Sequence, residues 1–186
     1  MPKLSTKYKI RNQEALHFIS FATVEWIDVF TRPLYKDVIV ESLKYCQKKK
    51  GLILYAWCLM TNHVHMIISS TGISKQEDII RDFKKYTSKK CLELIRENNS
   101  ESRKNWMLWM LNSAGKKNSN NKAYQFWRQD NHPIELDTNE MMDQKLEYIH
   151  NNPVVEGIVD NPADYLYSSA RNYEGLEGLV KVKIIE

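Results

Sequence analysis

The sequence predicts an α+β fold, a mostly antiparallel sheet with helices packed on one face. Three observations predict it. The periodicities run strand, helix, strand, strand, helix, strand, helix. Leu52 to Leu59 is apolar at every position, as a central strand covered by other elements would be. His63 to Ser69 alternates, with Val64, Met66 and Ile68 on the face that belongs in the core.

Each element has its own signal. Leu16 to Val24 is rich in β-branched and aromatic residues and reads as a strand. After the break at Thr31 to Pro33, Tyr35, Val38, Ile39, Leu43 and Cys46 recur at steps of three and four, which predicts an amphipathic helix. Lys48, Lys49 and Lys50 complement the negative end of its dipole, and Gly51 suits a left-handed cap. A turn at Thr61-Asn62 joins the next two strands. A second helix is expected from about Lys75 to Glu97, burying Ile80, Phe83, Thr87, Cys91 and Leu94. Ser113 to Lys122 is polar and aperiodic and reads as an exposed loop. Ala123 to Leu136 is expected to form a strand pair or a strand plus an extended segment. A last helix spans Thr138 to His150, with Thr138 or Asn139 as N-cap and an end at or before Asn152, because Pro153 disfavours helical geometry in the residue before it. A small strand is expected near Leu179 to Ile185.

The chain has 186 residues, 42% hydrophobic and 27% charged, with five Trp and ten Tyr. That suffices for one packed domain and excludes a disordered chain. Residues 1–186 are expected to form one domain with a short C-terminal extension from about residue 160. The formal charge of +4 permits a nucleic-acid partner without arguing for one, so the placement of the charges must decide. Cys46, Cys58 and Cys91 are odd in number and widely spaced in apolar segments, which predicts buried free thiols in a reducing compartment. Neither a signal peptide nor a run of about 20 apolar residues is present, so no membrane role and a cytoplasmic location are expected.

Two clusters can carry chemistry. His63 and His65 lie at i and i+2 on one strand face, away from the apolar layer, and two neutral imidazoles so placed can chelate one divalent ion. Tyr148 and Asn152 lie four apart, one turn from each other on one helix face. Taken singly, each has a plainer reading: a chance His-x-His, a core tyrosine, an asparagine ending a helix before proline.

Together the clusters resemble a known group. Met60-Thr61-Asn62-His63-Val64-His65-Met66 is similar to the Met-Pro-Asn-His-Val-His segment of the His-hydrophobe-His (HUH) single-tyrosine transposases, with Thr61 where that group usually has Pro. Tyr148-Ile149-His150-Asn151-Asn152-Pro153-Val154, followed by Gly157-Ile158-Val159, resembles the Tyr-Ile-His-x-Asn-Pro-Val-x-x-Gly-Leu-Val segment of the REP-associated tyrosine transposases, relatives of the IS200/IS605 enzymes. Phe126-Trp127-Arg128-Gln129 is similar to their Phe-Trp-Gln segment, and Tyr167-Ser168-Ser169 with Tyr173 to their Trp-Ser-Ser and following Tyr. The matches run in family order from about residue 15 to 175. The insertion around Gly115 to Lys122, and Asp130-Asn131-His132 in place of a Tyr-rich run, depart from the pattern.

The resemblance implies a ferredoxin-like HUH sandwich and a metal-dependent nuclease and strand transferase. In it Tyr148 is the nucleophile, and His63, His65 and Asn152 hold Mg²⁺ or Mn²⁺. A phenol of pKa ~10 attacking a phosphodiester anion needs charge neutralisation and alignment, which such an ion would supply. Attack would leave a 5′-phosphotyrosine and a free 3′-OH, so strands can be rejoined without an outside energy source. The implied partner is single-stranded DNA next to REP-type hairpins, bound by a monomer or homodimer. Arg81, Lys84, Lys85 and Lys89 on the second helix, Lys116, Lys117 and Lys122 in the loop, and Arg128 are the candidate phosphate contacts, with Tyr124 and Trp127 as base-stacking candidates. His150 is a candidate proton carrier, although packing is its plainer role. The competing readings are a domesticated hairpin-DNA-binding protein that no longer cuts, an HUH replication or mobilisation nuclease, and an RNA-binding sandwich, for which no paired aromatic strand motif is present.

Overall fold

A computed structural model describes residues 10–118, 123–129 and 131–185; the expectation for Lys122 lies outside the described residues. The elements are β1 (His17–Ala22), α1 (Pro33–Lys50), β2 (Leu52–Leu59), β3 (His63–Ser70), α2 (Gln76–Glu97), α3 (Lys104–Lys116), β4 (Ile134–Glu135), α4 (Asn139–Val155) and α5 (Ala170–Tyr173). The sheet order is β2-β3-β1-β4, each neighbouring pair antiparallel. Strands β1 and β2 therefore run parallel, joined by the α1 crossover, with β3 inserted between them: the split β-α-β arrangement of ferredoxin-like sheets. The expected α+β class and antiparallel sheet are present.

The alternation of β3 sorts two cores. Val64, Met66 and Ile68 join Tyr35, Ile39 and Leu43 of α1 and Ile80 and Phe83 of α2 on one face. On the opposite face Ile67 joins Phe18, Cys58, Ile149 of α4 and Tyr165. Helices α1 and α2 thus cover one face, while α4 and the chain after it close over the other. All three cysteines are buried and free. Gly51 caps α1 at φ +75°, where an added Cβ would collide with Thr71 Oγ1.

The structure corrects the sequence reading in three places and settles the N-cap of the last helix. Residues 104–116 form a helix, α3, so Ser113 to Lys116 end a helix rather than begin a loop. Its buried residues Met107, Leu111 and Ala114 keep helical spacing, but Trp106 and Trp109 between them are exposed and hide the period. Helix α4 runs through Asn152 and Pro153 to Val155. Pro153 forfeits one bond in the last turn only, and Gly157 at φ +68° closes the end with Ile158 N–H to Pro153 O (2.9 Å) and Gly157 N–H to Val154 O (2.9 Å). The N-cap is Thr138, whose Oγ1 accepts from Met141 N–H. The segment from Leu179 to Ile185 forms no strand. It is tied to β2 through Lys183 N–H to Leu54 O, at the register shift between Leu54 and Ala56 that interrupts a regular ladder.

Two family-like segments complete the sheet. Residues 126–128 extend the β1 side, with Val24 N–H to Phe126 O (2.8 Å) and Arg128 N–H to Ala22 O (2.8 Å). Residues 167–169 cover the outer side of β2 through Leu59 N–H to Tyr167 O and Ser169 N–H to Trp57 O (both 2.9 Å).

Candidate active site

Strand β3 delivers both histidines to the face covered by α4. Their ring centroids are 4.7 Å apart at 70°. His63 Nδ1 lies 2.7 Å from Asn62 Oδ1. The Asn62 amide is oriented by its NH₂, which donates to Asp28 Oδ1 (3.0 Å) and Trp26 O (3.3 Å). An amide oxygen only accepts, so Nδ1 of His63 carries the proton and Nε2 keeps its lone pair. Thr61, where the family pattern has Pro, anchors the same turn by donating to Asp28 Oδ1 (2.6 Å).

His65 is buried and stacks on Phe18 at 5.7 Å. Burial, with the nearby His63 and the positive charge of Lys145, pushes its pKa down to about 3, so the ring is neutral at physiological pH. Burial also lowers His63, offset in part by Asn152 and the Glu156 carboxylate. Helix α4 supplies the rest of the site from one face: Lys145, Tyr148 and Asn152, with Glu156 at its cap. Tyr148, half-exposed, places its hydroxyl 3.4 Å from His65 Nε2. Lys145 Nζ lies 5.6 Å from the centre of the Tyr148 ring and 4.8 Å from that of Phe18.

Two polar atoms of this cluster, Asn152 Oδ1 and His65 Nδ1, are buried without a hydrogen-bond partner. Each such atom costs about 1–3 kcal/mol, and native proteins rarely tolerate two together without a use for them. No group of three or more His, Cys, Asp or Glu side chains with metal-site geometry occurs among the described residues. The donors that meet here are two neutral imidazoles and an amide oxygen, a mixed nitrogen and oxygen set that suits a divalent cation.

The expected phosphate contacts divide. Arg81, Lys84, Lys85, Lys89, Tyr124 and Arg128 line one groove of about 900 Å³ along α2. Within it Arg81 is paired with Asp78 and Asp82, and Lys84 donates to Arg128 O (2.6 Å) and Asn131 Oδ1 (2.7 Å). Trp127 is not a stacking platform: it is 4% exposed, packs between Phe21 and Phe30, and donates from Nε1 to Thr87 Oγ1 (3.0 Å). Lys116 and Lys117 are exposed at the end of α3. His150 faces Ser169 Oγ (2.9 Å) and the Tyr173 ring, and burial pushes its pKa down to about 4.

Sequence reasoning missed Lys145, Glu156 and Trp26. The first two were legible from helix spacing, three before and eight after Tyr148. Trp26 was not: its ring centre stands 5.9 Å from that of His63, on a turn whose conformation no residue type announces.

The transposase IS200-like family model matches residues 13–152, from the approach to β1 through Asn152. The REP-associated tyrosine transposase solved bound to a REP hairpin superposes with a TM-score of 0.62 at 14% identity, over 98% of this chain and 94% of that one. A candidate transposase from Deinococcus radiodurans R1 aligns with a TM-score of 0.47 at 16% identity, over 78% of this chain and 96% of the other. No curated protein matches the sequence. No helix among the described residues is long and apolar enough to cross a membrane. The first structural match shares the fold, and the family match spans both histidines, the tyrosine and the asparagine: the chain belongs to the IS200-like transposase family.

Proposed function

We propose that this transposase is a metal-dependent single-stranded DNA endonuclease and strand transferase that acts next to REP-type hairpins, with Tyr148 as its nucleophile. The observation that carries the reading is the Tyr148 hydroxyl 3.4 Å from His65 Nε2, with His63 packed against His65 and interacting with the Asn152 amide. A protein that only binds hairpins needs none of these as a set.

His63, His65 and Asn152 would hold Mg²⁺ or Mn²⁺, which when bound supplies Lewis-acid neutralisation of the phosphate charge. The remaining work falls to side chains of the chain itself. Tyr148 attacks the scissile phosphorus as its phenol proton leaves to solvent on the exposed side of the ring. The bond to the 3′ oxygen breaks, that oxygen takes a proton, and a 5′-phosphotyrosine remains. A second 3′-OH reverses these steps and joins a new strand. Lys145 faces the charge that builds on the phosphate, and carriage of Tyr148 and Asn152 on one helix fixes their alignment.

The test is incubation with a single-stranded REP-type hairpin and Mg²⁺ or Mn²⁺, followed by denaturing electrophoresis. A covalent protein–DNA adduct is expected from the wild type and none from Tyr148→Phe. No adduct from the wild type, or an equal one from Tyr148→Phe, overturns the assignment.

A further inference from the structure

We propose that the depression between the turn Val24–Trp26 and the end of α3 is a nucleobase site, taking one unpaired base of the strand beside the scissile phosphate, stacked on Trp26. The proposal rests on the strand-transfer reading and extends it to recognition. Trp26 is 53% exposed, yet it packs against His63 in a T-shaped pair, ring centres 5.9 Å apart. A tryptophan left open beside a reaction centre forgoes the stabilisation of burial, and its π-face is worth about 1–3 kcal/mol to a stacked base.

The backbone supports the same reading. Glu25 and Trp26 are consecutive non-glycine residues in the left-handed region, at φ +52° and +53°, a conformation that costs on the order of 1–3 kcal/mol per residue. Surrounding bonds hold it in place: Thr23 Oγ1 donates to Ile27 O (2.8 Å) and Asn62 donates to Trp26 O. Strain maintained by its surroundings and clustered at a site presents a side chain that an ordinary turn would fold inward.

The walls of the depression fit one nucleotide. Its volume is about 540 Å³, and Glu25, Trp26, Lys117 and Arg128 contribute to it. Lys117 and Arg128 provide cations for the flanking phosphates. Glu25 provides an acceptor for an exocyclic amino group, which cytosine, adenine and guanine carry and thymine lacks. The Arg128 guanidinium lies 5.6 Å over the Trp26 ring and also lines the α2 groove, so a strand lying in that groove reaches His63 by way of this depression.

The experiment measures binding of the full chain to a REP-type hairpin with a 5′ single-stranded tail, in EDTA to prevent cleavage, with each tail position in turn made abasic. One abasic position is expected to weaken wild-type binding about 10-fold. Trp26→Ala should weaken the intact substrate equally and be indifferent to that abasic position, Trp26→Phe should keep most of the affinity, and Glu25→Leu, which removes the acceptor, should erase the preference for amino-bearing bases over thymine there. Unchanged thermal melts establish that the variants fold. Wild-type affinity in Trp26→Ala, or losses from mutation and abasic substitution that add at every position, overturns the base site alone. Failure of the wild type to bind any tailed hairpin overturns the strand-transfer reading and the base site with it.

Discussion

The Tyr148 hydroxyl stands 3.4 Å from His65 Nε2 within one chain. The proposed nucleophile and the histidine pair thus meet within one copy of the chain. Mixing Tyr148→Phe with His63→Ala, each inactive alone, is expected to restore no cleavage. Recovered adduct in the mixture would mean that the tyrosine works on a neighbouring copy's histidines.

Asn152 separates function from stability. Its buried Oδ1 has no partner, so replacing the amide with an apolar group of similar size removes a desolvation cost. Asn152→Leu should abolish metal-stimulated cleavage while raising the metal-free unfolding free energy by about 1–3 kcal/mol, read from urea titrations. A loss of stability of that size would instead mark the amide as a packing group.

Lys145 should act on rate rather than on folding. Its ammonium lies beside the Tyr148 ring, where the proposed mechanism places the charge that builds on the phosphate. Lys145→Gln is expected to lower single-turnover cleavage by about 10-fold or more at saturating DNA, with little change in affinity or melting temperature. A pure affinity effect would place Lys145 on the DNA backbone away from the reacting atoms.

Glu101 sets an acid limit. Hydrogen bonds from Arg103, together with Arg32, hold this buried carboxylate down to about 2. Because its folded pKa lies below its unfolded value, its contribution is full above the ordinary carboxylate range and is lost as pH falls toward 2. Unfolding midpoints measured from pH 6 to pH 2 should fall more steeply for wild type than for Glu101→Gln, which is less stable at neutral pH. Parallel curves would remove Glu101 from the acid response.

The parts of the molecule legible in the sequence are those where one periodicity dominates. The alternation through Val64, Met66 and Ile68 placed both histidines on the correct face, and the four-residue step from Tyr148 to Asn152 placed both on one side of α4. Helix α3 was hidden because Trp106 and Trp109 fill its exposed face with apolar side chains, so no polar stripe reveals the turn. Trp127 was misread because an aromatic next to an arginine looks alike in a groove and in a core. The path of α4 through Pro153 depended on closure by Gly157, five residues beyond Asn152, where a proline rule alone ends the helix too early.

Arg103 links Glu101 to the turn that carries the first histidine. It binds Glu101 and donates to Asp28 O (2.8 Å); the Asp28 side chain accepts from Asn62, and Asn62 accepts from His63. Arg103, the residue just before α3, therefore clamps the backbone of the same Asp28 whose side chain orients Asn62, so the helix without a readable period in the sequence braces the turn that fixes the tautomer of the first histidine.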